Sequence, residues 1–398
     1  MKIVLITSKL NFEENGSPVG GSVVDLHLKA KGLVELGHSV LVVTAFSNAD
    51  HIYGQLPYKV FQRCIKKRGL LGLQFGIYRL LKEFEHQADV FYIDGHMFLY
   101  GGGAYRLLGG AVHVVGFFNI RLNAWGDTSG NVTQPSLFRR AKKKVRFLIE
   151  KFVGTLFTRY LDAYIFNTPH VRKMYHTFGI GKEGQSFVIQ DFVATGELTK
   201  TYGISRKSIE ERQGTPSPLV LFATGRMIPE KGFDLIIRAL ASLARKEDYH
   251  LILSGGGPDK ERLEGLVEEL GLNSIVEFPG WVPREKLYEF LTKVQVFIFS
   301  KWWIEYGSAL LTEVMAFGLP SVIPGGGALE WLTDGHALMF KDASVEELAQ
   351  RLKELQKDPA LRIRLGTEIL ARAEELDSPK LAKKMEQVLV SVVPHHVE

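Results

Sequence analysis

Leu219-Val220-Leu221-Phe222-Ala223-Thr224 runs directly into Gly225-Arg226-Met227-Ile228-Pro229-Glu230-Lys231-Gly232, and a helical pattern opens at Phe233. A short apolar run, a glycine and then a helix is the signature of a strand buried on both faces that feeds a crossover helix. The same order repeats outward in both directions. Downstream, strands are predicted at His250–Ser254, Ile275–Phe278, Val296–Phe299 and Pro320–Ile323, with helical spacing over Phe233–Leu243, Asp259–Leu270, Arg284–Leu291, Ser308–Phe317 and Val345–Gln356. Upstream, strands are predicted at Ile3–Thr7, Ser39–Ala45, Asp89–Ile93, Ala111–Gly116, Ala163–Phe166 and Phe187–Ile189, with a helix over Ser22–Glu35. Strands alternating with amphipathic helices predict α/β architecture with parallel sheets covered on both sides. Glu210–Pro218, with two prolines, a glycine and flanking charges, reads as a linker between two doubly wound halves. A last amphipathic helix follows Ser378-Pro379.

Length and composition agree with two domains. The chain has 398 residues, 45% hydrophobic and 23% charged, which excludes a disordered or fibrous chain. A single cysteine, Cys64, excludes an intramolecular disulfide and a cysteine-rich zinc module. No apolar run approaches the roughly 18 residues of a membrane span, and the apolar start MKIVLIT is too short for a secretory signal. A soluble, cytoplasmic protein is the expectation. Residues 1–213 carry 28 Lys and Arg against 17 acids, a net +11, whereas residues 214–398 are net −6. The basic half is the one to meet anionic partners. Nucleic acid is not among those expected, because no finger, helix-turn-helix or RNA-recognition pattern is present.

In open α/β sheets ligands bind beyond the carboxyl ends of the strands, so the loops after strands matter most. In Gly225–Gly232, Arg226 and Lys231 leave a strand end beside free helix N–H groups, a set that suits a diphosphate. Two solvated surface cations would read the same way. Gly255-Gly256-Gly257 follows the next strand and would let backbone approach a ligand; a plain tight turn is the other reading. Glu305 and Glu313 bracket the sequence Tyr306-Gly307-Ser308, where a helix starts. One carboxylate on the loop and one in the helix could serve a sugar hydroxyl and a ribose. Glu313 lies among Leu310, Leu311, Val314 and Met315, an expensive place for an idle charge.

The ordered set of Gly-Arg…Glu-Lys-Gly, Gly-Gly-Gly-Pro, Phe278-Pro279-Gly280-Trp281-Val282-Pro283 and the paired glutamates followed by Met315-Ala316-Phe317-Gly318-Leu319-Pro320 resembles the retaining, nucleotide-sugar-dependent glycosyltransferases of the GT-B fold, family four, group 1 type. The resemblance is strong over residues 219–375 and weaker in the first half, where Gly20-Gly21 and Asp162–Thr168 carry it. It implies two Rossmann-like domains facing across a cleft: residues 1–213 for the acceptor, 214–378 for the donor, and a C-terminal helix, 379–398, returning to the first domain. It implies transfer of a hexosyl group from a nucleotide-diphosphate sugar to a hydroxyl acceptor, either carbohydrate or lipid-linked.

Residue by residue, the resemblance implies Arg226 and Lys231, beside Gly225 and Gly256, on the donor diphosphate, and Glu305 on the donor sugar. Backbone N–H groups of Tyr306, Gly307 and Ser308 would meet sugar and phosphate, and Glu313 the ribose. Gly20 and Gly21 would close over the diphosphate, and the base would lie near Trp281 and Val282. No Asp-x-Asp motif occurs, so no metal and no cofactor are expected, and the two cations replace a metal as charge neutraliser. Where many members carry a histidine after the fifth strand, this chain has Asn119, and His96 and His113 are the substitutes to consider. A nucleotide-sugar-binding protein without catalysis, or another GT-B enzyme such as an epimerase or phosphorylase, remain alternatives. A Rossmann oxidoreductase would need Gly-x-Gly-x-x-Gly after the first strand, which the loop here lacks.

Arg139–Tyr160 holds eight Lys and Arg against one acid, Glu150, beside an apolar stripe of Val145, Leu148, Ile149, Phe152, Leu156 and Tyr160. It reads either as a helix for an anionic membrane surface, which would make the protein peripheral at the inner face, or as a helix whose stripe covers its own sheet.

Overall fold

The computed structural model describes residues 1–12, 18, 20–47, 55–65, 69–120, 145, 147–214, 218–300, 307–341 and 343–393. They form two Rossmann-like α/β units, each around one parallel sheet. The first comprises residues 1–193 and the helix Ser378–Val392; the second comprises Ala194–Asp377.

In the first unit the strands are β1 Lys2–Thr7, β2 Ser39–Thr44, β3 Lys59–Gln62, β4 Val90–Asp94, β5 His113–Phe118, β6 Ala163–Phe166 and β7 Ser186–Val188, in the order β3-β2-β1-β4-β5-β6-β7. Every pairing is parallel; β1 pairs with β2 from Lys2 opposite Ser39 to Thr7 opposite Thr44. Ile3, Val4, Leu5 and Ile6 are all fully buried, which is why β1 shows no alternation and sits at the centre. The order reverses between β1 and β4, so the crevice of this unit opens past their carboxyl ends.

The second unit has β8 Leu219–Thr224, β9 Tyr249–Ser254, β10 Val276–Gly280, β11 Val296–Ile298, β12 Ser321–Pro324 and β13 Leu338–Phe340, in the order β10-β9-β8-β11-β12-β13. Again all pairings are parallel, and the order reverses between β8 and β11. Two apolar cores cover this sheet: Ile236, Leu240 and Leu352 belong to one, and Leu311, Met315 and Ile369 to the other.

The units divide at Val193, 20 residues before the expected boundary at 213. Helices Thr195–Tyr202 and Arg206–Gln213 pack on the second unit rather than ending the first. Arg212 donates to the carbonyls of Phe317 and Gly318, both at 2.8 Å, and to Leu291 at 3.2 Å. Burial pulls its guanidinium down to about 10. Gln213 donates to Gln295 O at 2.9 Å and accepts from Arg362. The expected linker therefore begins as helix, capped by Ser205, whose hydroxyl accepts from Ser208 N. Helix Ser378–Val392 lies against helix Gly21–Glu35: a Cβ on Gly32 would stand 2.7 Å from the Ala382 Cβ, and His38 meets Glu386 at 2.8 Å. Among the described residues no helix is long and apolar enough to cross a membrane.

Candidate functional site

The loop after β8 is shaped by backbone rather than by side chains. Gly225 takes φ +150° and donates to Ser254 O at 3.1 Å; Met227 N donates to Gly256 O at 2.8 Å. A turn at Pro229–Lys231 then ends in Gly232, whose left-handed φ of 63° starts helix Phe233–Ala241. The loops after β8 and β9 thus run in backbone contact. A Cβ on Gly255 would stand 1.9 Å from Gly225 O, and one on Gly257 2.3 Å from Met227 O, whereas one on Gly256 would meet nothing within 4 Å. Gly255 and Gly257 are required by the neighbouring loop, whereas Gly256 faces open space.

Past the carboxyl ends of β8 and β11 lies a cavity of about 170 Å³, lined by Thr224, Gly225, Lys231, Phe233, Ile298, Phe299, Ser300, Ser308 and Leu310. Its lining mixes apolar side chains with Lys231 and the hydroxyls of Thr224, Ser300 and Ser308. The Lys231 Nζ lies 5.9 Å from the Phe299 ring centroid, and Ser300 Oγ donates to Lys231 O at 2.8 Å, joining the two loops. Ser308 caps helix Ala309–Ala316 by accepting from Leu311 N at 3.1 Å, so the positive end of that helix opens on the cavity. Arg226 is exposed, and its guanidinium has no partner among the described residues. Ligand pockets for drug-sized molecules occupy roughly 300–1,000 Å³. A space of about 170 Å³ beside a lysine and a helix N-terminus suits a phosphate-sized anion rather than a whole nucleotide.

The remaining expected contacts fall as follows. Gly307 is half-buried ahead of the Ser308 cap, and Glu305 and Tyr306 lie outside the described residues. Trp281 is 71% exposed just after β10, with Val282 half-buried next to it, so a flat aromatic face is free for stacking. Glu313 is buried and pairs with Arg284, from helix Arg284–Lys293. Arg284 in turn donates to the Tyr288 hydroxyl at 2.5 Å. Arg284 escaped the sequence reading; the one signal for it was a glutamate among leucines, which demands a partner from elsewhere.

In the first unit, Gly20 takes φ +89° ahead of helix Gly21–Glu35 with nothing near its Cβ position, and both Gly20 and Gly21 are exposed. Asn119 is half-buried just past β5, and its carbonyl accepts from Asn167 at 3.5 Å. His96 is different: it is 4% exposed, its Nδ1 is 2.8 Å from the Tyr175 hydroxyl and its Nε2 is 3.1 Å from the Tyr100 hydroxyl. With both ring nitrogens held by tyrosines, the imidazole serves the interior and has no atom left for a sugar. His113 sits at the opposite, amino end of β5 and meets Asp162 at 3.0 Å, so it is structural as well.

A buried ionic group that the sequence reading missed lies at the switch point of the first sheet. Lys29, 1% exposed, bonds Asp25 at 2.6 Å and stands 3.5 Å from the Phe117 ring centroid; Asp25 also accepts from Phe192 N at 2.7 Å. Asp94, the last residue of β4, is pushed up to about 6 by burial, with Lys29 opposing the rise and Asp25 adding to it. The buried Tyr92 hydroxyl has no hydrogen-bond partner among the described residues. Among the described residues, no group of three or more His, Cys, Asp or Glu could hold a metal ion.

Comparison with known proteins places both halves. Residues 205–371 match the family model described as glycosyl transferases group 1, and residues 19–195 match glycosyltransferase family 4. The chain is 29% identical over 210 residues to the lipopolysaccharide core biosynthesis glycosyltransferase LpsE of Rhizobium meliloti (strain 1021), covering 52% of this chain and 58% of that protein. It is 33% identical over 149 residues to LpsD of the same organism, covering 37% and 42%. The chain therefore spans about half the length of the curated relatives it matches. The crystal structure of Anabaena Alr3699/HepE in complex with UDP superposes with a TM-score of 0.73 at 17% identity, covering 98% of this chain and 100% of that one. At that identity the likeness concerns the fold, which is GT-B.

Proposed function

We propose, from the premise that this chain belongs to the group 1 glycosyltransferases, that it moves a hexosyl group from a nucleotide-diphosphate sugar to a hydroxyl acceptor with retention at the anomeric carbon. The observation that carries the reading is the cavity past β8 and β11, where Lys231, the cap of helix Ala309–Ala316 and the loop bearing Arg226 converge within the region matching the group 1 model. These groups answer the charge that gathers on a leaving diphosphate, and they do so without a metal ion.

In this reading Arg226 and Lys231, with Gly225 and Gly256, hold the diphosphate, while Gly307 and Ser308 present N–H groups to sugar and phosphate. Glu305 meets the donor sugar and, as the ring becomes cationic, lowers the barrier. Trp281 and Val282 receive the base, and Glu313, steadied by Arg284, meets the ribose. Gly20 and Gly21 meet the donor diphosphate, and Asn119 the sugar or the acceptor. The departing phosphate takes the acceptor's proton, so no protein nucleophile is required. The acceptor is a glycan, a lipid-linked sugar or a small molecule, and the site of action is the cytoplasm, with peripheral attachment at the inner face of the membrane.

Release of free UDP, GDP or ADP across a panel of nucleotide sugars, with and without added acceptors, tests the reading. One donor should be turned over in preference to the rest, and acceptor should raise the rate. Binding of nucleotide sugar without turnover under any acceptor would refute transferase activity.

A further inference from the structure

Residues 147–160 are folded inside out. The chain is helical over 147–149, winds as a π turn over Glu150–Gly154 and continues as α-helix over Thr155–Thr158. Its small and polar positions face inward: Glu150, Thr155 and Thr158 are 2%, 5% and 1% exposed. The inward glycine is there because nothing larger fits, since a Cβ on Gly154 would stand 2.7 Å from the Tyr100 ring. On the facing helix, Leu99–Leu107, a Cβ on Gly103 would stand 1.9 Å from Phe157 O. The bulky apolar positions point out. Leu148, Ile149, Phe152, Val153, Leu156 and Tyr160 are between 42% and 66% exposed. A helix that covers its own sheet does the reverse. Of the two readings the sequence leaves open, the one in which the stripe covers its own sheet is thereby overturned.

The neighbouring helices continue the exposure. Leu108, just past helix Leu99–Leu107, is 66% exposed, and on helix Gly69–Phe84, which packs on that helix, Leu71 and Phe75 are 77% and 60% exposed. Apolar exposure as dense as that of 147–160 marks a surface that is covered in use. The charge beside it says by what. Lys151 is exposed on the same helix, and the sequence immediately before Phe147 supplies Lys142, Lys143, Lys144 and Arg146. Two copies of so basic a stretch of sequence repel one another, whereas an anionic bilayer accepts both cations and apolar side chains.

We propose that the outward face of residues 147–160 docks the first unit on an anionic lipid surface. Docking itself is independent of catalysis; only its use, bringing the acceptor unit to a lipid-linked acceptor, rests on the transferase reading.

The test is sedimentation of the full chain with vesicles of phosphatidylcholine alone, or of equimolar phosphatidylcholine and phosphatidylglycerol, at low and high salt. Binding to the anionic vesicles alone, weakened by salt, is expected, and the double variant Phe152→Ser, Leu156→Ser should bind them at least about tenfold more weakly. Because both side chains point outward, its melting temperature and its nucleotide release with a soluble acceptor should match the parent. Lys151→Glu should weaken binding less and chiefly at low salt. Equal binding to neutral vesicles, binding to neither, or an unchanged double variant overturns the proposal, as does a parent dimer that the double variant splits. Vesicle binding by a protein that turns over no donor would leave docking intact and remove the transferase reading instead.

Discussion

Replacing Gly255 by alanine puts a methyl carbon 1.9 Å from the carbonyl oxygen of Gly225, where such contacts stay beyond 3.0 Å. The two loops must part by about 1 Å, and the backbone at φ +129° adds strain of its own. Overpacking of this kind costs roughly 1–3 kcal/mol and an unfavourable φ another 1–2 kcal/mol. Together a loss of about 2–5 kcal/mol is expected, or roughly 5–15 °C in the Tm of the second unit. Gly256→Ala meets nothing within 4 Å and should change the Tm by less than about 2 °C. Activity should separate the pair differently. Gly256→Ala probes the space in front of the loop and should raise the donor KM with the fold intact, whereas Gly255→Ala should lower kcat/KM by shifting Arg226 and Lys231. Differential scanning fluorimetry with donor kinetics on both variants is the assay. A Gly255→Ala protein as stable as the parent would refute the argument that these glycines exist for loop-to-loop contact.

Arg226→Ala or Lys231→Ala should lower kcat/KM for the donor by roughly a hundred- to a thousand-fold, measured by nucleotide release, with melting unchanged; normal turnover in both would place the diphosphate elsewhere. Arg284→Met strands the buried Glu313 carboxylate and should cost about 2–4 kcal/mol, more than Glu313→Gln, which leaves the cation on the partly exposed partner; equal losses in chemical denaturation would show that burial does not set the penalty. Asp94 should make stability fall as pH rises. Its ordinary value is 3.8 and its folded value about 6, so between those the folded chain keeps a proton that the unfolded chain has lost. A rise of that size corresponds to about 3 kcal/mol. Asp94→Asn should therefore exceed the parent in stability by roughly 1–3 kcal/mol at about pH 7.5 and match it near about pH 4, and urea unfolding at both pH values decides it.

The central strands were legible because burial on both faces leaves a plain apolar run, as in β1, β8 and β9. The edge strands β3, with its residues Lys59–Gln62 alternately exposed and half-buried, and β13, only three residues long, leave too little pattern to read. Helix Leu99–Leu107 was hidden for a sharper reason. Gly101, Gly102 and Gly103 argue against a helix by propensity, yet Cβ atoms there would meet Ile77 at 2.7 Å, Ile93 at 2.5 Å and Phe157 O at 1.9 Å. Close packing overrides propensity at all three. The place of Lys231 beside the cavity was readable from its position after a strand, but Arg284 comes to Glu313 from a helix 29 residues earlier, a proximity no local pattern records. Likewise the stripe of 147–160 was visible, whereas an amphipathic pattern does not say which of its faces meets solvent. His96 was a candidate because it follows a strand; the tyrosines that occupy it lie 4 and 79 residues away.

The return of helix Ser378–Val392 to helix Gly21–Glu35 sets an order on synthesis. The second unit is one unbroken stretch and can close as soon as Asp377 has left the ribosome. The first unit cannot, although most of it is made earlier, because Leu381, Ala382, Met385 and Leu389 complete its core. Until they arrive, the flank of helix Gly21–Glu35 around Gly32 lies bare, a groove sized for Ala382 and open to chaperones or to another nascent chain. The unit whose strands come earlier in the sequence is thus the one that finishes later, and a chain released within helix Ser378–Val392 would carry its defect in the first unit.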